Sequence, residues 1–292
     1  MVLQLTHHIV PVFAARIACV LVAWLFMAAA VAQQINAGPY EPSPQSVVAD
    51  MLKIAGIGPA DFVIDLGSGD GRIVLTAAKV YGARGFGVEI KDNLVELSNE
   101  AARKEGLADR VKFFKQDLFT TDISKATVLT MYLLPNTVNM LSEKLQAELR
   151  PGARVLSHDY SLAGWTAEVT KVFDLEDKIK ISGVTTTIIF LYVVPARVAG
   201  HWDAKVPSAV SQLPVTFDLT QQVQKIGGTA TVGGREVPLE TPKLVGEKIS
   251  FRLPVERGRA LEFSGRVKGA SIEGSVETGG VRLPWTAALA GK

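Results

Sequence analysis

The residues whose types and spacing could do chemistry gather around one short turn. The run Phe62-Val-Ile-Asp-Leu-Gly-Ser-Gly-Asp-Gly-Arg72 passes from an apolar strand through an acid and a glycine turn straight into a helix. Gly67 and Gly69 permit a tight turn with close backbone approach, and the N–H groups that open the helix at Gly71 offer donors to a ligand's polar atoms. Such a turn cradles a nucleotide. The dinucleotide fingerprint wants a further glycine where this chain has Arg72, so that match fails. A second acid, Glu89, ends the run Gly85-Phe-Gly-Val-Glu-Ile90, about twenty residues beyond Gly69, the spacing at which a carboxylate accepts hydrogen bonds from ribose hydroxyls. A third, Asp117, follows the run Arg110–Lys115, where a turn residue and a ligand contact are both open readings.

These acids reach one place only if strands and helices alternate. Strand 62–66 leads to helix 71–81 with Gly82 behind it, strand 85–89 to helix 92–105 with Gly106 behind it, and strand 110–115 follows. Strand 126–131 ends at Tyr132-Leu-Leu-Pro135, after which Asn136 is expected to cap a helix carrying Val138, Leu141, Leu145 and Leu149. Pro151-Gly152 turns into strand 153–157, and the β-prone run 184–194 supplies a late strand. Upstream, Ser43 is expected to cap a helix with Pro44 at its first position and Val47, Val48, Met51 and Leu52 on one face. Parallel pairing through right-handed crossovers is the economical topology, a doubly wound α/β sheet of about seven strands.

Composition bounds the remainder. With 292 residues, 48% of them hydrophobic, the chain has material for a large core and two domains. A net charge of +2 does not suggest a nucleic-acid partner. Residues 33–195 carry 17 basic against 20 acidic side chains, and 196–292 carry 13 against 9, so the first half is mildly acidic and would tolerate a cationic substrate. At the N-terminus, His7, His8 and Arg16 precede an uncharged apolar run from Ile17 to Ala32, ending Ala30-Val31-Ala32 before Gln33, an A-x-A cleavage pattern. That run is shorter than the roughly 20 residues of a spanning helix. The expectation is therefore a signal peptide over 1–32 and an exported, periplasmic or envelope-associated protein, with an inner-membrane anchor over 17–32 as the alternative. Cys19, the single cysteine, lies in this segment, which excludes a disulfide framework and cysteine-ligated zinc from the mature protein. No metal is expected.

Beyond Pro195 the helical periodicity vanishes. Runs 229–232, 248–253, 261–267 and 271–276 read as strands, with Gly227-Gly228, Gly233-Gly234 and Gly279-Gly280 as hairpin connections. This predicts a small all-β antiparallel barrel or sandwich over 196–292. His201 beside Trp202 and Asp203 reads as linker. Substrate docking, envelope-component binding and dimerisation are all open for this part.

The glycine run resembles motif I of the class I S-adenosylmethionine (SAM) methyltransferases, in which an acid and one residue precede G-x-G-x-G. Taken with Tyr40-x-Pro-Ser-Pro44, Gly87-Val-Glu89, Asp117-Leu-Phe119, Tyr132-Leu-Leu-Pro135 and Arg154-Val-Leu-Ser-His158, it is similar over about residues 38–195 to a bacterial family related to the mitochondrial lysine methyltransferases of inner-membrane proteins. It looks distantly like the non-SET histone-lysine methyltransferases. Their paired asparagines after strand four are absent here, and so is an Asn-Pro-Pro-Tyr motif. The resemblance implies a Rossmann-like methyltransferase domain over 46–195 preceded by a linker and lid over 33–45. It implies SAM held by Tyr40, Asp65, Gly67, Ser68, Gly69, Glu89, Asp117 and Leu118, with Leu118 or Phe119 against the adenine. For Tyr40 a plain packing role is equally open. Ligands of open α/β sheets bind at the carboxyl ends of the strands, so Tyr132 and Pro135 would line the substrate channel, with no dedicated base required. His158-Asp159-Tyr160, following strand five, could reach the same mouth, although a lone histidine after a strand is more often structural. The implied acceptor is an amine, foremost a protein lysine. A small-molecule acceptor, or a non-catalytic nucleoside-binding envelope protein, is the alternative.

Overall fold

Five-residue apolar stretches bounded by glycine and proline are too short for stable helices and are satisfied as strands buried on both faces. The computed structural model describes residues 40–179, 183–255 and 260–291. The expected export segment lies outside them. β1 (Phe62–Leu66), β2 (Arg84–Glu89), β3 (Val111–Lys115), β4 (Val128–Met131), β5 (Arg154–His158), β6 (Val169–Asp174) and β7 (Thr186–Val193) form one sheet in the order β3-β2-β1-β4-β5-β7-β6. The first five are parallel, as expected. β7 departs from that expectation: it runs antiparallel to both β5 and β6. Among the described residues β6 is followed by a short 3-10 turn at Glu176–Lys178, and β6 and β7 pair directly as antiparallel neighbours. β6 itself escaped the sequence reading, because as an edge strand it leaves Val169 and Val172 exposed and shows no buried face.

Helices cover both faces. α1 (Gln45–Ala55), α2 (Arg72–Tyr81) and α3 (Asp92–Lys104) enclose a core in which Val48, Leu52, Val74 and Ala77 meet Val63, Val128 and Leu156. On the other face α4 (Pro135–Met140) and α5 (Ser142–Glu148) bring Val138, Leu141 and Leu145 against Ile64, Leu129 and Val155. Two capping expectations fail. α1 starts at Gln45 with Pro44 at its cap position, and the Ser43 hydroxyl is bonded to a buried histidine instead. α4 starts at Pro135, whose fixed φ suits the first helical position, so Asn136 falls inside the helix. The single helix expected across 138–149 is two short ones meeting at Leu141.

The second sheet comprises β8 (Gly200–Lys205), β9 (Val215–Gln222), β10 (Lys225–Val232), β11 (Arg235–Pro238), β12 (Glu240–Val245), β13 (Lys248–Pro254), β14 (Ala260–Lys268), β15 (Ser271–Thr278) and β16 (Val281–Leu289). Its order, β11-β10-β9-β8-β16-β15-β14-β13-β12, is antiparallel throughout and brings the chain-adjacent β11 and β12 to its two edges, a nearly closed barrel. Alternate residues point inward, where Trp202, Phe217, Phe251, Phe263 and Trp285 pack. Gly233-Gly234 and Gly279-Gly280 are turns as expected, but Gly227-Gly228 lies within β10. There the strands approach so closely that a Cβ on Gly228 would lie 2.0 Å from the Asp218 carbonyl oxygen. The His201-Trp202-Asp203 segment is not linker either. It belongs to β8, with Trp202 fully buried and donating Nε1–H to the Val198 carbonyl at 2.8 Å, and His201 paired with Asp218 at 2.7 Å.

The two sheets meet through glycine turns and backbone groups. Ala196 N–H donates to the Gly246 carbonyl at 2.8 Å and Thr166 N–H to Gln224 Oε1 at 3.1 Å. The approach is close enough that a Cβ on Gly246 would lie 3.2 Å from the Gly152 Cα. Because β7 is antiparallel, Val193 pairs with Arg154 at the start of β5, and the chain leaves the first sheet at the edge opposite the carboxyl ends of the parallel strands.

Candidate active site

The glycine turn is fixed by the strand beside it. Gly67 and Ser68 both donate N–H to the Val88 carbonyl at 2.9 Å, which ties the loop after β1 to the end of β2. Gly67, Gly69 and Gly71 have φ of 78°, 53° and 80°, the left-handed region that costs a side chain about 1–2 kcal/mol. Space is withdrawn as well: a Cβ on Gly67 would lie 2.7 Å from Leu133 Cδ2, and one on Gly69 would lie 2.4 Å from the Tyr40 ring. Glu89 accepts from the N–H groups of Gly69 at 3.1 Å, Ile90 at 2.8 Å and Lys91 at 3.0 Å. A carboxylate has about four lone-pair sites, so capacity is left for a ligand hydroxyl.

Asp65, almost fully buried, accepts from Thr130 Oγ1 at 2.7 Å. Burial pushes its carboxyl up to about 7, with Asp70 and Glu89 adding to the rise against the Thr130 hydrogen bond. Ser68 Oγ is buried and has no hydrogen-bond partner within the protein. Asp70 and Arg72 form a bidentate pair, Nε to Oδ1 at 2.9 Å, and Arg72 Nη1 donates to the Ser43 carbonyl at 2.9 Å. The segment before α1 is thereby tied to the turn, and the Tyr40 ring lies against Gly69.

At the carboxyl ends of β4 and β5 a second set converges. The Tyr132 ring lies on His158 with centroids 4.0 Å apart, and its hydroxyl donates to Asp159 Oδ2 at 3.2 Å. Burial, then the Asp159 charge, raises the Tyr132 hydroxyl well above its ordinary value, so it stays protonated. Asp159, at φ 62°, also accepts from Lys178 Nζ at 2.6 Å and from Ile188 N–H at 3.1 Å. His158 is fully buried and its ring is pushed down to about 4 by burial, hence neutral at pH 7. Its Nδ1 lies 2.8 Å from Ser43 Oγ.

The remaining expected residues sit at the margin. Asp117 is exposed and caps its own turn, accepting from Phe119 N–H at 2.8 Å, while Leu118 and Phe119 pack partly against the core. Pro135 is exposed at the start of α4. The sequence reading missed Thr130, Leu133 and Lys178. Leu133 stood inside a motif already noted, but a partner 65 residues from Asp65 leaves no local signal. Among the described residues no cluster of histidine, cysteine and carboxylates could hold a metal ion.

The cradle fits SAM on its own observations: three glycines in left-handed backbone at a helix start, an orphaned buried hydroxyl at Ser68, and Glu89 with acceptor capacity. Bound there, that group supplies an electrophilic methyl carbon on a sulfonium.

The comparisons agree with this geometry. The model of the ANTKMT methyltransferase domain matches residues 65–169. A protein-lysine N-methyltransferase of Saccharolobus islandicus is 43% identical over 158 residues, 53% of this chain and 93% of the relative. An adenine nucleotide translocase lysine N-methyltransferase of Mus musculus is 35% identical over 127 residues, 44% of this chain and 55% of its own length. A crystal structure of an RNA methyltransferase from Salinibacter ruber with S-adenosyl-L-homocysteine is 40% identical, covering 54% of this chain and 95% of its own at a TM-score of 0.48. With a relative matched over nearly its whole length and a glycine cradle built for the cofactor, the chain belongs to this family of class I SAM-dependent methyltransferases.

Proposed function

We propose that the enzyme methylates the ε-amine of a protein lysine. The observation that carries this reading is the match along 93% of a relative named for that activity. Asp65, Gly67, Ser68, Gly69 and Glu89 hold the cofactor under Tyr40, with Asp117 and Leu118 at the adenine end. Tyr132 and Pro135 line the acceptor channel. Holding a neutral amine in line with the methyl carbon is the main task, and such alignment lowers barriers by up to about 7–11 kcal/mol in favourable cases. The Tyr132 hydroxyl, kept protonated and aimed at Asp159, orients the lone pair and helps exclude water. A lysine ammonium with an ordinary pKa near 10.4 sheds its proton to solvent before entry, so no side chain is assigned as base.

The test incubates membrane, envelope and soluble fractions of a deletion strain with the enzyme and methyl-labelled SAM, followed by hydrolysis of labelled bands. Methyl-lysine is expected with the wild type. Tyr132→Ala loses it while binding S-adenosylhomocysteine, and Gly67→Val loses both. Label confined to small molecules or nucleic acid overturns the lysine reading and leaves the methyltransferase standing.

We place the protein in the envelope, supported by the apolar run Ile17–Ala32 and its Ala-x-Ala end, with an envelope component on the second sheet. Mass spectrometry of the mature chain from its host should find Gln33 as first residue; an intact chain in the membrane fraction supports the anchor.

A further inference from the structure

One short segment touches both sides of the reaction. Tyr40 covers Gly69 of the cofactor turn, the Ser43 carbonyl is bound by Arg72 at the start of α2, and the Ser43 hydroxyl reaches His158 at 2.8 Å. His158 lies against the Tyr132 ring, 4.0 Å between centroids. Its Nε2 is buried with no hydrogen-bond partner, 3.5 Å from Asp159 Oδ1, the residue that also accepts the Tyr132 hydroxyl. A carboxylate oxygen on that side favours the tautomer with the proton on Nε2, so we assign Ser43 as donor to Nδ1.

Resting on the lysine-methylation reading above, we infer that His158 is a positioning residue: through Ser43 it couples closure of the segment 40–44 over the cofactor to the placement of Tyr132 for the acceptor amine. What marks the Ser43 bond is its origin: the partner comes from the segment that covers the cofactor turn, 115 residues away. A neutral ring with its proton on Nε2 accepts from Ser43 while its face, tilted by 34°, packs against Tyr132; an imidazolium would reverse that bond, with Nδ1 donating to the Ser43 oxygen. The arrangement makes acceptor placement conditional on the cofactor being covered.

The test uses Ser43→Ala, with Ser43→Thr as the variant that restores the hydroxyl, and His158→Asn beside His158→Gln, since asparagine places an acceptor near the Nδ1 position and glutamine near Nε2. Two readouts are taken on the full chain. Hydrogen exchange with and without S-adenosylhomocysteine should show the ligand protecting residues 40–43 and 131–134 in the wild type, Ser43→Thr and His158→Asn. In Ser43→Ala and His158→Gln, protection at 131–134 is lost while the ligand Kd moves less than threefold. Kinetics with SAM and the labelled protein acceptor should show kcat reduced at least tenfold in those two variants, with KM for SAM unchanged. Wild-type protection at 131–134 in Ser43→Ala overturns the inference, as does a fall in ligand affinity that parallels the loss of protection. If a His158 variant does not fold, the Ser43 pair alone decides. Failure of the wild type to methylate any protein lysine refutes the proposed substrate, and the exchange experiment still tests the coupling.

Discussion

The two sheets treat polar groups in opposite ways. Among the described residues, Gln224 is the only polar side chain buried in the β half, and it serves the junction, bonding to Thr166 and Val193. The α/β half buries Asp65, Ser68, His158 and Lys178 beside several serines and threonines. Burying such groups costs free energy unless partners are supplied, so a fold keeps them only where they are used. The β half fills its interior with a cluster of Phe217, Phe251, Phe263 and Trp285, ring centroids 5.0–6.1 Å apart, an arrangement that gives stability and no reactivity. The polar groups that could do chemistry gather in the α/β half, which has apolar cores of its own, while the interior of the β half is an apolar cluster.

That division can be broken by experiment. The largest effect is expected from Trp285→Ala, which removes a ring 5.1 Å from Phe263 and 5.8 Å from Phe217. Denaturant unfolding should show a loss of about 3–5 kcal/mol. Affinity for S-adenosylhomocysteine, measured by calorimetry where the variant is still folded, should stay within about twofold. A large fall in affinity would mean the halves are not separable in this way.

A somewhat smaller effect sharpens the other side. Asp65 keeps its proton in the fold up to about 7, whereas in the unfolded chain it releases it near 3.9. Between those values the folded state binds more protons, so stability falls as pH rises from about 4 to 7 and levels off above. The fall should reach up to about 4 kcal/mol, from roughly three pH units at about 1.36 kcal/mol each. Urea unfolding of wild type against Asp65→Asn across that window isolates it, since the asparagine has no proton to lose. Parallel profiles would remove Asp65 as a buried acid held for function.

The smallest effect belongs to the outer face of the barrel. Arg266 and Glu247 pair at 2.5 Å, but the Arg266 side chain is 53% exposed. Arg266→Ala should change unfolding free energy by less than about 0.5 kcal/mol and leave methyl transfer untouched. A larger change would show that the charged surface of the β half contributes more than solubility.

What the sequence revealed follows the same line. The glycine turn, Glu89 and the first five strands were legible because each depends on residues close in the chain: a helix start, an apolar run, a glycine at positive φ. Ser43 was misread for the opposite reason. Its local context is that of a helix cap, and only a histidine from β5 diverts its hydroxyl. β6 lacked an apolar face because it is an edge, and Gly227-Gly228 imitated a turn because close strand approach and tight turns demand the same residue. Trp202 was lost in a stretch with flanking charges, although its alternation with His201 and Asp203 is that of a strand with one side inside. Asp65 was read as a ligand-site acid. Its raised pKa was not, since that depends on burial produced by neighbours distant in sequence.

The reversal of β7 decides where the barrel joins the first sheet. By carrying the chain back to the start of β5, it attaches the barrel at the sheet end opposite the one that bears Tyr132 and the glycine turn. The connection to the barrel therefore adds no residue to the loops after β1, β2 and β4, which carry the glycine turn, Glu89 and Tyr132.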